Sequence, residues 1–102
     1  MPDMIIPAEQ CQTMKDVRIG VDTVDRELVA LLARRFAYMR AAARIKPNRE
    51  MVRDEPRKTE VIANAQAEAI RLGVPAELVG EIWDRLVEGS IAYEMDAFDR
   101  RT

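Results

Sequence analysis

Apolar residues between Lys15 and Ile45 recur at alternating steps of three and four, the spacing of one face of an α-helix. This face comprises Val17, Val21, Val24, Leu28, Leu31, Met39 and Ala42. Arg35 interrupts the face, and Lys46 extends it four residues after Ala42. Since a buried cation is costly unless an anion meets it, the pattern predicts a buried helix face that directs two positive charges at an anionic partner.

Proline and glycine residues mark the ends of the predicted helices. Pro47 ends the first helix, because the residue before a proline is pushed out of the helical conformation. Asp54 or Glu55 begins a second helix, with a proline in its first turn, and Gly73 closes it as a left-handed cap. Pro75 opens a third helix that continues to about Asp99. The predicted fold is all-α, with a long, a short and a long helix.

The second and third helices each carry one apolar side that is predicted to be buried. In the second helix this side comprises Val61, Ile62, Ala65, Ala69 and Ile70. In the third it comprises Leu78, Val79, Ile82, Leu86, Val87, Tyr93 and Ala97. Residues 1–14 lack periodicity and form an irregular lead-in, after which Thr13 or Asp16 can cap the first helix. The 102 residues together have the size of one domain.

The length of the first helix predicts a homodimer. About 30 helical residues span roughly 45 Å, whereas a compact chain of ~100 residues has a radius of gyration near 13 Å. The two other helices of the same chain are too short to cover such a helix. We therefore expect the long helices of two chains to pack together.

Composition excludes several classes of chemistry. The chain contains no histidine, which rules out a histidine general base and a histidine-ligated metal. Its single cysteine cannot form an intrachain disulfide. A net charge of −2 gives no general attraction to nucleic acid or to an anionic membrane. No apolar run approaches the roughly 18 residues of a membrane span, and no secretion signal is recognisable, so we expect a cytoplasmic protein.

Arg35 and Lys46 could hold a small anion between them. They are 11 residues apart in sequence, which in a helix places them roughly 16 Å apart along the axis and about 20° apart around it. Arg18 would lie roughly 25 Å from Arg35 in the same helix. Arg18 could therefore join the other two only from an antiparallel partner chain.

Polar residues outside the first helix complete a candidate site. Arg53, Asp54 and Arg57 lie at the start of the second helix, and Ser90 and Glu94 are one turn apart on the third. Such a site offers cations, one carboxyl and one hydroxyl group, and suits a small dianion whose carboxylates are gripped by guanidinium groups. It could stabilise developing charge by electrostatics alone, without a metal or a cofactor. Alternatively, the charged residues form ordinary exposed ion pairs.

The spacing of these residues resembles the all-helical chorismate mutases over about residues 11–98. The resemblance is carried by Val17-Arg18, Asp22, Val24-Asp25, Leu28, Leu31-Leu32, Arg34-Arg35, Lys46, Val52-Arg53-Asp54 and Arg57. The related isochorismate-pyruvate lyases share the first half of this pattern, and residues 38–42 look closer to them. The resemblance implies an intertwined dimer of three-helix chains with two composite active sites, acting on a chorismate-like dianion without a cofactor.

The resemblance also implies a role for each candidate residue. Arg18 of one chain, with Arg35 and Arg57 of the other, would hold the substrate carboxylates. Lys46 would donate to the ether oxygen whose bond breaks, and Glu94 falls where many family members carry a glutamine as the second donor. Asp54 would lie near the ring hydroxyl and Ser90 near a carboxylate. The catalytic residues would then be Lys46, Glu94 and Arg35.

Two residues depart from the mutase pattern. Glu94 can donate a hydrogen bond only when it is protonated, so activity should rise at acidic pH. Lys58 stands where some mutases carry a glutamate that binds the ring hydroxyl. The implied function is the rearrangement of chorismate to prephenate. The alternatives are isochorismate-pyruvate lyase activity and a non-catalytic helical dimerisation or regulatory module.

Overall fold

Three α-helices account for most of the chain in a computed structural model that describes residues 5–101. Helix α1 comprises Met14–Ile45, α2 comprises Glu55–Leu72 and α3 comprises Ala76–Asp99. Short 3-10 helices occupy Ala8–Gln10 and Arg49–Met51, and the described residues contain no strand. The predicted all-α order of long, short and long helices is confirmed. Residues 1–4 of the predicted lead-in lie outside the described residues.

The described residues form two compact units that divide between Ala37 and Tyr38, inside α1. We refer to residues 5–37 as the N-terminal unit and to residues 38–101 as the C-terminal unit. Across these two units, no helix has the length and apolar character needed to cross a membrane.

A reciprocal cap begins α1 in the N-terminal unit. The hydroxyl oxygen of Thr13 accepts a hydrogen bond from the Asp16 backbone N–H at 3.1 Å. The Asp16 carboxylate in turn accepts from the backbone N–H groups of Gln12 and Thr13, at 3.1 and 3.3 Å. Such an arrangement satisfies N–H groups that the first helical turn cannot pair internally. Both residues that the sequence offered as caps therefore take part.

The apolar face of α1 is open in the N-terminal unit. Val17, Val21, Val24, Leu28 and Leu31 are 37–52% exposed in the single chain. The predicted burial of this face therefore stays a prediction that depends on a second chain, because burial of a helix face requires a second apolar surface against it. Beside it, Ile5–Ala8 and Cys11 line an apolar cavity of about 410 Å³ with the first half of α1.

Helices α2 and α3 pack against each other in the C-terminal unit. Asp54 caps α2, and Gly73 ends it with a positive φ of 74° that other residues adopt only with strain. The Gly73 and Val74 N–H groups bond back to carbonyls of the last turn of α2. The chain then turns directly into α3. The core of this unit is formed by Ala43, Val52, Ala69, Val79 and Val87.

Several apolar residues that were predicted to be buried on α2 and α3 are exposed. Ile70 is 71% exposed, Leu78 50%, Ile82 48% and Tyr93 38%. Their predicted burial is therefore wrong within the single chain. Apolar spacing identifies a wide stripe on a helix, but only the row that meets the neighbouring helix becomes buried.

The end of α1 is held by the last described residue. The Arg101 guanidinium donates to the carbonyl oxygens of Ala43, Lys46 and Pro47, at 3.2, 2.6 and 3.3 Å. It also lies 3.6 Å from the centre of the Phe98 ring. Since carbonyl groups in the last turn of a helix lack intrahelical partners, this arginine satisfies them and fixes the backbone at Lys46.

Candidate active site

Lys46 and Glu94 meet in the C-terminal unit. The Lys46 Nζ atom lies 2.6 Å from Glu94 Oε2. Glu94 is only 4% exposed, whereas the Lys46 side chain is 26% exposed. A carboxylate that is removed from water requires a charged or hydrogen-bonding partner, and Lys46 supplies it. Lys46 and Glu94, two of the three predicted catalytic residues, therefore form one ion pair, 48 residues apart in sequence.

The position of Lys46 is fixed at both its backbone and its ammonium group. Its backbone N–H donates to the Ala42 carbonyl at 2.9 Å, and its own carbonyl accepts from Arg101. Its ammonium group donates to the Val52 carbonyl at 3.4 Å as well as to Glu94. An ammonium group has three N–H bonds. With two directed at these acceptors, the third can be donated to a ligand.

Helix α3 places Ser90 one turn before Glu94, as the sequence predicted. Ser90 is 3% exposed, and its hydroxyl donates to the Leu86 carbonyl at 2.7 Å. A hydroxyl group that donates its hydrogen can still accept through its oxygen. The α3 part of the candidate site therefore consists of a buried carboxylate and a buried hydroxyl on the same helix.

Asp54 and Arg57 are joined to each other at the start of α2. Asp54 Oδ1 accepts a hydrogen bond from the Arg57 backbone N–H at 3.0 Å, which makes Asp54 the N-cap of the helix. The Arg57 guanidinium pairs with Glu60 on the surface of the same helix. Exposed ion pairs of this kind contribute little to stability. The Arg57 guanidinium can therefore leave Glu60 and bind a ligand carboxylate instead.

A cluster of charges that sequence reasoning missed links α2 to α3. We call it the Glu88 cluster; it consists of Arg53, Lys58, Asp84 and Glu88. Glu88 accepts from Arg53 at 2.9 and 3.1 Å and from Lys58 at 2.8 Å. Lys58 also lies 3.0 Å from Asp84. The one available signal was the spacing of Asp84 and Glu88, one turn apart on the third helix.

The cluster shifts the titration of its members. The hydrogen bond from Arg53, followed by the one from Lys58, lowers the pKa of the Glu88 carboxyl to about 2. Hydrogen bonds to Glu88 and then Asp84 raise the pKa of Lys58 above its ordinary value. Lys58, which departs from the mutase pattern in sequence, is therefore engaged with carboxylates of α3.

Arg18 and Arg35 lie on α1 in the N-terminal unit. Arg18 is exposed and Arg35 is half-buried. The C-terminal unit by itself joins Lys46 to Glu94 and Asp54 to Arg57, and it carries Ser90 one turn before Glu94 on α3. Within residues 5–101, no group of three or more cysteine, aspartate or glutamate side chains is placed to hold a metal ion.

Comparison with known proteins identifies relatives of the chain. The sequence profile of the family described as chorismate mutase type II matches residues 17–95. This range includes every candidate site residue, from Arg18 to Glu94. The chain is 25% identical over 87 residues to the isochorismate pyruvate lyase of Pseudomonas aeruginosa, covering 85% of this chain and 86% of the relative.

The T-protein of Haemophilus influenzae is 27% identical over 84 residues. That match covers 81% of this chain, but the chain spans only 22% of the T-protein. No solved structure gives a significant match.

Proposed function

The chain belongs to the chorismate mutase type II family, and from that premise we propose that it is a chorismate mutase, converting chorismate to prephenate. The observation that carries the proposal is the Lys46–Glu94 pair, with a separation of 2.6 Å and a carboxylate sheltered from water. In the proposed complex, this pair supplies a cation and a hydrogen-bonding group to one substrate atom.

The reaction requires stabilisation of charge more than transfer of protons. As the ether C–O bond of chorismate breaks and a C–C bond forms, partial negative charge accumulates on the ether oxygen. We assign the third N–H of the Lys46 ammonium to this oxygen. A positioned donor of this type contributes about 10²- to 10³-fold to the rate. Because Val52 and Arg101 hold Lys46 in place, little reorganisation is needed as the charge develops.

Glu94 has two possible roles that depend on its protonation. In the structure it accepts a hydrogen bond from Lys46. To act as a second donor to the ether oxygen it must carry a proton, because an ionised carboxylate has only acceptors and would repel the developing charge. We therefore propose that the protonated form of Glu94 is the active one and that turnover increases toward acidic pH.

We propose that the candidate arginines bind the two carboxylates of chorismate. We assign Arg35 and Arg57 to them within one chain and Arg18 to them from a second chain, because guanidinium groups bind carboxylates bidentately. Ser90 would assist at a carboxylate, and Asp54 would lie near the ring hydroxyl. The proposed complex requires no cofactor and no metal.

The shared site requires a homodimer, and the open face of α1 supports one. Within the N-terminal unit, the apolar side chains of α1 from Val17 to Leu31 are substantially exposed in one chain, and they span roughly 21 Å of helix. An exposed apolar face of this length is typical of a protein–protein interface. We propose that the same face of a second copy covers it.

Isochorismate-pyruvate lyase activity is the second candidate. It is favoured by the relative from Pseudomonas aeruginosa, which bears that name and which the chain matches over 86% of its length. The same cations could bind isochorismate, which is also a dianion with an ether oxygen. The proposed sites are therefore alike, and the products must distinguish the two activities.

Product analysis tests both candidates. Purified protein is incubated separately with chorismate and with isochorismate between about pH 5 and pH 8, and prephenate, salicylate and pyruvate are quantified. Prephenate from chorismate supports the mutase, and salicylate with pyruvate from isochorismate supports the lyase. If a folded protein converts neither substrate, the catalytic proposal is wrong and a non-catalytic dimerisation or regulatory module is favoured.

A further inference from the structure

We propose that Glu88 is a positioning residue for this site, which holds residues 53–58 against α3 so that Asp54 and Arg57 are correctly placed for the substrate. The inference rests on the proposed function, because Asp54 and Arg57 are substrate-binding residues only within it. Glu88 itself is not expected to touch the substrate.

One carboxylate holds both ends of the segment. Glu88 Oε1 accepts from Arg53 Nη2 at 2.9 Å, and Glu88 Oε2 accepts from Arg53 Nη1 at 3.1 Å. Glu88 Oε2 also accepts from Lys58 Nζ at 2.8 Å. Arg53 immediately precedes Asp54, and Lys58 immediately follows Arg57. The two proposed substrate-binding residues are therefore enclosed by the two cations that Glu88 binds.

The backbone between these ends transmits the constraint. The Lys58 N–H donates to the Asp54 carbonyl at 2.9 Å, and the Arg57 N–H donates to the Asp54 carboxylate at 3.0 Å. These bonds form the first turn of α2. When Arg53 and Lys58 are fixed to α3, the orientation of this turn relative to α3, which carries Glu94, is fixed as well.

The residue before this segment also contacts the Lys46–Glu94 ion pair. Val52, immediately before Arg53, is 3% exposed, and its carbonyl accepts from Lys46 Nζ at 3.4 Å. The Glu88 cluster therefore adjoins the ion pair through a single peptide unit. Arg53 binds Glu88 with two parallel N–H groups, a geometry that neither a neutral side chain nor a lysine reproduces.

The test compares Glu88→Gln with the control Asp84→Asn. The control removes an exposed partner of Lys58 but leaves Glu88 its bonds to Arg53 and Lys58. For Glu88→Gln we expect the KM for chorismate to rise roughly tenfold with kcat within about threefold, because displaced binding groups weaken capture of the substrate. For Asp84→Asn we expect both constants within about twofold of the parent chain.

A second readout does not depend on turnover. Amide hydrogen exchange of Arg57 and Lys58, followed by NMR, reports whether their bonds to Asp54 persist. We expect roughly tenfold faster exchange at these two amides in Glu88→Gln and unchanged exchange in Asp84→Asn. If Glu88→Gln does not fold, Arg53→Lys replaces it, because a lysine keeps the charge but loses the paired bonds.

The outcomes separate the positioning role from the proposed function. Faster exchange at these amides together with a raised KM supports the role. Unchanged exchange in a folded Glu88→Gln protein overturns it, and so does faster exchange with an unchanged KM, which would make the contact purely structural. Failure of the parent chain to convert either substrate refutes the proposed function instead. The exchange measurement alone then decides whether Glu88 holds the segment.

Discussion

Replacing Lys46 by methionine should affect stability and catalysis through two separable mechanisms. The substitution keeps most of the apolar stem of the side chain but removes the ammonium group that lies 2.6 Å from Glu94. Glu94, whose side chain is only 6% exposed, then loses its cation. Catalysis loses the proposed donor to the ether oxygen.

The expected loss of stability follows from the burial of Glu94. Breaking a fully buried ion pair from one side costs about 3–5 kcal/mol in the free energy of unfolding. The Lys46 side chain is 26% exposed, so water can partly replace it, and we expect about 2–3 kcal/mol at pH 7. A chain of this size would then melt roughly 10–15 °C lower.

The double variant Lys46→Met/Glu94→Gln separates the two mechanisms. It removes both charges and leaves no uncompensated carboxylate, so most of the lost stability should return. Catalysis should not return, because the cation is still missing, and kcat should stay about 10²- to 10³-fold below that of the parent chain. Urea unfolding at pH 7 measures the stability, and a prephenate assay measures kcat.

Two results would refute this reasoning. If Lys46→Met unfolds at the same urea concentration as the parent chain, the ion pair does not support the buried carboxylate. If the double variant regains turnover together with stability, Lys46 serves the fold and not the reaction.

Three further predictions concern Glu94, Glu88 and Gly73. Glu94→Gln should keep turnover and extend it to higher pH, because an amide donates at every pH; a variant that is equally inactive from about pH 5 to 8 would contradict this. The stabilising contribution of Glu88 should be complete above its ordinary pKa of 4.5 and disappear as pH falls through its lowered value of about 2. The difference in unfolding free energy between the parent chain and Glu88→Gln should therefore narrow as the pH falls from 4.5 to about 2. A difference that stays constant over this pH range would contradict the prediction. Gly73→Ala should lower the free energy of unfolding, measured in urea, by about 1–2 kcal/mol, because φ is 74° at this position and alanine adopts that conformation only with strain. An unchanged urea midpoint would contradict this prediction.

The helix ends could be predicted from the sequence because capping residues, prolines and glycines act on the backbone within a few positions of themselves. Pro56 and Gly73 fix the limits of α2 through the geometry of their own backbones, and Asp54 caps it through a bond to a residue three positions away. The ends of all three helices therefore agree with the sequence prediction to within about two residues, the usual scatter at helix termini. Burial could not be predicted in the same way. Ile70 and Leu78 continue apolar stripes but remain exposed, because no local signal states which row meets a neighbour.

The candidate site was predictable in its members but not in its contacts. Lys46 and Glu94 were identified separately, but their ion pair joins residues that are 48 positions apart in sequence. The role of Glu88 could not be predicted either, because its partners Arg53 and Lys58 lie 35 and 30 residues away in sequence. Charged residues at helical spacing give the same sequence pattern whether they face water or pair with one another.

Mixing two inactive variants tests most directly whether cations from two chains enclose one dianion. Arg18→Ala and Lys46→Ala are purified separately, then unfolded and refolded together in equal amounts. Statistical pairing would place half of the chains in mixed dimers, each with one intact composite site of two, so we predict about one quarter of the parent turnover of chorismate. A mixture that is no more active than its two components would contradict the shared site.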